Sequence, residues 1–231
     1  MNASLPDERY FRERIIPFNR SPKGRGEIDE VLRALRGCDV AGRVLDLGCG
    51  PGLNAEACGK AVPAWRMVAA DAAPSATRIA AERVGGRVVR SDAHALCFAA
   101  ASFAAVVMTH VVGHLADAVR ALAEVRRVLA PGGALLLTTP NRRFVELFQV
   151  FNERGLIPYR RDPTVLRAYD AGDLQRILLA AGFQLVDLRC FGSLPRFDAR
   201  LLAMNLLPPD VRLDDEARRE RLLALARRPS D

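Results

Sequence analysis

The chain has 231 residues, 50% of them hydrophobic and 26% charged, which suits one globular domain with a substantial core. Its net charge of +7 comes almost wholly from arginine, with lysine only at 23 and 60, and acids are interspersed throughout, as in Asp7-Glu8-Arg9. A nucleic-acid-binding stripe would be less mixed, so no nucleic-acid partner is expected. The five cysteines (38, 49, 58, 97 and 190) form no C-x-x-C pair, which argues against a zinc site or disulfide framework and fits a reducing cytoplasm.

The first twenty residues mix Asp7, Glu8 and Glu13 with Arg9, Arg12 and Arg14, and no apolar run suggests a signal peptide. A short helix is predicted near Pro6–Arg14, followed by a Pro/Gly-rich connector over 21–26. Ile28, Val31, Leu32 and Leu35 give a helix from Glu27 to Arg36, stopped by Gly37. A regular alternation then begins. Strands are predicted at 43–47, 67–70, 88–90, 103–108, 134–138 and 183–188, and helices at 53–62, 74–84, 117–129 and 173–181. Pro74 sits where a first-turn proline belongs. Between the fifth strand and the last of these helices, residues 141–168 carry Phe144, Leu147, Phe148 and Phe151 at helical spacing, with Pro158 and Tyr159 beyond. The tail shows no seventh strand, and 214–227 reads as a charged surface helix. The uncharged span Ala93–Ala116 breaks at Ser102 and Gly113 and reads as loop, buried strand and turn, so no membrane segment is expected. The fold class is α/β: a doubly wound, mainly parallel sheet with helices on both faces.

Within this pattern, Val44-Leu45-Asp46-Leu47-Gly48-Cys49-Gly50-Pro51-Gly52 is a buried strand ending in a glycine loop. Its glycines run G-x-G-x-G behind an acid, unlike the G-x-G-x-x-G of dinucleotide sites. The motif resembles motif I of the class I S-adenosylmethionine-dependent methyltransferases. Asp71-Ala72-Ala73-Pro74-Ser75, Ser91-Asp92-Ala93, the turn Ala130-Pro131-Gly132-Gly133, Thr138-Thr139-Pro140-Asn141 and Ala180-Ala181-Gly182-Phe183 are similar to later segments of the branch containing ubiquinone-type and natural-product enzymes. The resemblance covers 40–140 well and 168–190 moderately, and implies a Rossmann-like fold and S-adenosyl-L-methionine as cofactor.

It also implies roles. The Gly48–Gly50 loop would cradle the methionyl carboxylate with backbone N–H groups, and Asp46 would brace that loop. Asp71, about twenty residues beyond the glycines, would accept the ribose hydroxyls, with Ala72 beside it. Asp92 and Ala93 would meet the adenine. Any one aspartate alone reads as a turn or cap residue. Joined to the glycine loop and five β/α units, they read as one site.

His94 reads as a loop residue and His114 as packing. His110 lies just past the fourth strand, where sulfonium and acceptor would meet. It is either a general base for a hydroxyl acceptor or a space-filler whose backbone holds the methionyl part. Tyr169 and Asp170 read as structural. No metal is called for.

The chain is thus expected to be one methyltransferase domain: a helical cap over 1–40, a cofactor core over 41–140, a lid over 141–168 and a C-terminal part over 169–231. The expected partner is a small-molecule acceptor, methylated at a hydroxyl oxygen. A nucleic-acid methyltransferase, or a protein that binds S-adenosylmethionine to promote a cyclisation or rearrangement, stands as the alternative.

Overall fold

From residue 42 onward, short apolar runs alternate with helical periodicity, and the chain resolves them into strands covered on both faces. The computed structural model describes residues 5–62, 65–155, 162–193 and 219–230. The chain enters through α1 (Glu8–Tyr10), a π-helical turn (Phe11–Ile15), α2 (Ile16–Arg20) and α3 (Pro22–Arg36). The connector expected at 21–26 is therefore the first turn of α3. Ser21 caps it, its hydroxyl accepting from Gly24 N–H at 3.1 Å, and Pro22 takes the first helical position. Gly24 is there for space: a Cβ would come 2.3 Å from the Phe18 carbonyl oxygen, where α2 folds back on α3.

The core follows as β1 (Gly42–Leu47), α4 (Leu53–Ala61), β2 (Trp65–Asp71), α5 (Pro74–Val84), β3 (Val88–Arg90) and β4 (Phe103–Thr109). Then come α6 (Ala118–Val128), β5 (Leu129–Pro140), α7 (Arg142–Glu153), α8 (Ala171–Ala180), β6 (Gln184–Ser193) and β7 (Arg219–Arg227). The strands order as β3-β2-β1-β4-β5-β7-β6. β1 to β5 are parallel, and β7 runs antiparallel to both neighbours. The order reverses between β1 and β4, which places a crevice at their carboxyl ends.

The expected charged helix over 214–227 is corrected by β7; residues 214–218 lie outside the described ones, as do Pro158 and Tyr159. β7 is paired at both edges and buried on both faces of the sheet, so its apolar run does not alternate with polar residues. Leu222, Ala224 and Ala226 join Leu45, Leu47 and helices α6 and α8 on one face of the sheet. Leu223 joins Val44 and helices α3, α4 and α5 on the other. A seventh strand therefore completes the sheet. Leu129 to Gly133 likewise belongs to β5, which begins before the turn rather than after it. A third cluster, Phe11 with Ala73, Ala76 and Ile79, fixes the N-terminal segment to α5 beside the glycine loop.

Candidate functional site

The glycine loop leaves β1 toward the crevice with Gly48, Gly50 and Gly52 all at positive φ (71°, 50° and 80°). Gly48 also has no room for a side chain: a Cβ would sit 2.3 Å from Val111 Cγ2, in the segment after β4. The loop N–H groups have partners within the protein. Gly48 and Cys49 donate to the Ala70 carbonyl (2.7 and 3.0 Å), and Gly52 donates to Cys49. Gly50 donates to Asp71 Oδ2 at 2.9 Å. A methionyl carboxylate would share or displace these bonds, or meet the N-terminal end of α4.

Asp71, at the end of β2, also accepts from Ala73 N–H through Oδ1 at 2.8 Å. With backbone bonds from Ala73, Gly50 and Ala72, the carboxylate still has lone-pair capacity for a ribose hydroxyl. Burial raises its pKa, against the opposing pull of the Ala73 and Gly50 N–H bonds. Ala72 is half-buried and Ala93 is buried in the core. Asp92 is largely exposed. Its Oδ1 accepts from His94 N–H at 2.9 Å and lies 2.8 Å from His94 Nδ1, while His94 Nε2 accepts from Asp117 N–H at 3.3 Å. His94, expected to be an ordinary loop residue, thus ties the Asp92 turn to the cap of α6.

Asp46 is buried beneath the loop, and its Oδ2 has no hydrogen-bond partner among the described residues. Burial pushes its carboxyl up to about 7, opposed by a bond from Ala55 N–H. The folded state holds this proton more tightly than the unfolded chain, so Asp46 lowers stability as pH rises from about 4 through about 7. Asp46→Asn should therefore melt higher than the wild type above pH 7, by about 2–4 kcal/mol, and match it near pH 4. Parallel melting curves at pH 4 and pH 8 check this.

His110 stands at the carboxyl end of β4 with φ +59°, its N–H bonded to the Thr138 carbonyl at 2.9 Å. Its Nε2 lies 2.6 Å from Oε1 of Glu27, a buried carboxylate at the start of α3. Thr138 Oγ1 donates to the same oxygen at 3.0 Å, and Arg221 Nε lies 3.2 Å from Oε2. Burial would raise the Glu27 pKa. His110, then Arg221 and Thr138, outweigh it and hold the carboxyl below its usual value. The Arg221 guanidinium lies over the Phe18 ring, and Phe18 meets His110 edge-on. Glu27, Thr138 and Arg221 were not among the residues expected at the site.

The N-terminal segment lies beside the glycine loop. Phe11 packs 3.7 Å from where a Gly50 Cβ would be. Tyr10 donates its hydroxyl to Asp162 at 2.8 Å, Asp162 accepts from Thr164 Oγ1 at 2.6 Å, and Thr164 meets His114 Nδ1 at 3.1 Å. Burial, then Asp162, push the Tyr10 phenol up to about 12, so it stays a donor. Tyr169 is buried in the core and Asp170 caps α8, both structural as expected. Among the described residues no His/Cys/Asp/Glu group could hold a metal, and no helix is long and apolar enough to cross a membrane.

A family model described as a methyltransferase domain matches residues 17–188. The chain belongs to that family. It is a class I S-adenosylmethionine-dependent methyltransferase, with S-adenosyl-L-methionine as its cofactor. A demethylmenaquinone methyltransferase of Thermus thermophilus is 33% identical over 65% of this chain and 78% of its own. A ubiquinone biosynthesis O-methyltransferase of Sinorhizobium medicae is 29% identical over 77% and 70%. Two further curated relatives are spanned over about half of their length (53% and 42%). Among solved structures, Haemonchus contortus phosphoethanolamine N-methyltransferase 2 in complex with S-adenosyl-L-methionine aligns at TM-score 0.64, with 18% identity over 98% of this chain and 61% of its own. The [4+2]-cyclase SpnF aligns at 0.63, with 24% identity over 88% and 82%. These two likenesses speak to the fold alone.

Proposed function

We propose that the chain methylates a hydroxyl oxygen of a small, ring-bearing organic acceptor, with His110 as the base. The observation that carries this reading is the placement of His110. Its ring is pinned at the β1/β4 reversal and is still 28% exposed. When bound, S-adenosylmethionine supplies a methyl group activated by the sulfonium. The protein's part is alignment, exclusion of water and custody of one proton. Gly48 and Gly50 would let the cofactor approach the backbone, Asp71 and Ala72 would hold the ribose, and Asp92 and Ala93 would hold the adenine. Asp46 supports the loop from below. His110 would take the acceptor's hydroxyl proton as the oxygen becomes nucleophilic.

The fit to the cofactor rests on the loop's inability to accept side chains and on the free lone pairs of Asp71 and Asp92. Asp71→Ala would remove charge-assisted bonds to the ribose, worth roughly 1.5–3 kcal/mol, so affinity should fall on the order of ten- to a hundredfold. Calorimetry with S-adenosylhomocysteine on a folded variant checks it, and an unchanged Kd would refute the assignment.

The relatives' names supply the acceptor class. One relative is named for ubiquinone biosynthesis and the other for demethylmenaquinone, so a quinone-type ring precursor is the favoured acceptor class, and the O-methyltransferase's name favours a catechol-type hydroxyl on it. Release of S-adenosylhomocysteine with 3,4-dihydroxybenzoate and with prenylated catechols tests it. Turnover on an oligonucleotide, or a cyclised product without that release, would instead select one of the alternatives.

Residues 5–20 and 162–168 would close over the site as a lid, joined by the Tyr10–Asp162 bond. Tyr10→Phe should lose about 0.5–1.5 kcal/mol of this closure. Trypsin should then cut at Arg20 and Arg25 severalfold faster than in wild type, and S-adenosylhomocysteine should protect both proteins. Equal rates in the two proteins would show that the bond closes nothing. Arg160 and Arg161 lie outside the described residues.

A further inference from the structure

We propose that Glu27 is the positioning residue for His110, accepting the Nε2 proton so that Nδ1 is the bare nitrogen offered to the acceptor. This rests on the reading of His110 as the base. Nε2 lies 2.6 Å from Glu27 Oε1 and is sealed from solvent; its N–H is not aimed at that oxygen, so the two make a close polar contact that a turn of the ring would convert into a hydrogen bond, and the exposed part of the side chain lies elsewhere on the ring. Among the described residues no polar partner faces Nδ1. A carboxylate can only accept, so the nitrogen facing it carries the hydrogen.

The charges around the carboxylate decide which form of the ring it faces. Arg221, itself buried, lies 3.2 Å from Glu27 Oε2, and a guanidinium stays charged at any working pH. Glu27 therefore has one counter-charge whichever form the ring takes. The imidazole can stand opposite as a neutral donor, with its other nitrogen free to take a proton. Glu220, 3.9 Å from Arg221, is the next charge outward and is matched by Lys23 at 2.5 Å.

The surroundings also bound the ring's movement. The His110 N–H is bonded to Thr138 O, Thr138 Oγ1 shares Glu27 Oε1, and Phe18 stands edge-on at 6.4 Å. These groups come from α2, α3, β5 and β7, so the ring is held from outside the cofactor motifs. A carboxylate orienting an imidazole is the arrangement by which a base is kept in one tautomer.

The test is nitrogen NMR on protein labelled in histidine, at pH 8 with S-adenosylhomocysteine bound. His110→Asn assigns its signal among the three histidines. The wild type should show one neutral His110 tautomer, with a downfield Nε2 proton protected from water. Glu27→Gln should lose that protection. Because Glu27→Gln leaves Arg221 with only the more distant Glu220, the double variant Glu27→Leu with Arg221→Met, which removes both charges of the pair, serves as the folded control and should show the same loss. With 3,4-dihydroxybenzoate or whichever catechol is turned over, kcat of either variant should fall on the order of ten- to a hundredfold while KM holds. A doubly protonated ring in wild type, an Nδ1–H tautomer, or an Nε2 proton equally protected in the variants would overturn the proposal. The base reading fails separately: protection would be as expected, yet His110→Asn would keep its kcat.

Discussion

Replacing His110 with alanine is expected to lower kcat by roughly 10²–10⁴-fold. An acceptor hydroxyl must lose its proton as the oxygen attacks, and among the described residues His110 is the part-exposed imidazole at the end of β4, while Glu27 beside it is buried. KM for both substrates should stay within about threefold, because the proton transfer belongs to the transition state and not to binding. The variant must be read with the backbone in mind. His110 sits at φ +59°, where asparagine is far more at ease than alanine. His110→Asn is therefore the better control for strain: it keeps the turn, fills part of the space and cannot serve as a base. Both variants leave Glu27 with Arg221 and Thr138, and melting each beside the wild type separates lost stability from lost chemistry. A kcat within tenfold of wild type for both would remove His110 from the chemistry and leave alignment as the main source of rate.

The part of this molecule that was legible in the sequence is the part governed by local rules. The bounds of α5 follow from Pro74 at its start and Gly85, in the left-handed region at φ +65°, just beyond its end. β1 to β5 follow from short apolar runs between helices, and the glycine loop from residues that must turn sharply. What escaped was set by tertiary neighbours. Ser21-Pro22 is both a turn signal and a cap followed by a first-turn proline, and only α2 packing against Gly24 decides between them. Arg219–Arg227 has helical propensity in its leucines and alanines, and its strand state comes from the free edges of β5 and β6. Glu27 did leave a trace. It lies four residues before Val31 and eight before Leu35, on the buried stripe of α3, where an acid needs a reason. Its partners could not be read, because they sit on β4, β5 and a strand that the sequence did not reveal.

That strand carries the largest expected stability effect. Arg221 is buried at the start of β7, and its Nε lies 3.2 Å from Glu27 Oε2. Arg221→Ala would leave the carboxylate with His110 and Thr138 alone, in a place where an uncompensated charge costs about 3–5 kcal/mol. For a chain of this size that is a fall in Tm on the order of ten degrees. The loss should depend on pH with a definite sign. In the wild type the folded pKa of Glu27 is lowered, so its contribution is present above the unfolded value of 4.5 and is lost as pH falls below it. The gap between the two melting curves should therefore be widest above pH 5 and narrow in more acid solution, where Glu27 takes up a proton and no longer needs the guanidinium. Arg221→Lys should recover only part of the loss, because an ammonium cannot both lie flat over Phe18 and address Glu27 through Nε. A gap that stayed constant from pH 4 to pH 8 would mean that Arg221 acts through packing, not through the charge of Glu27.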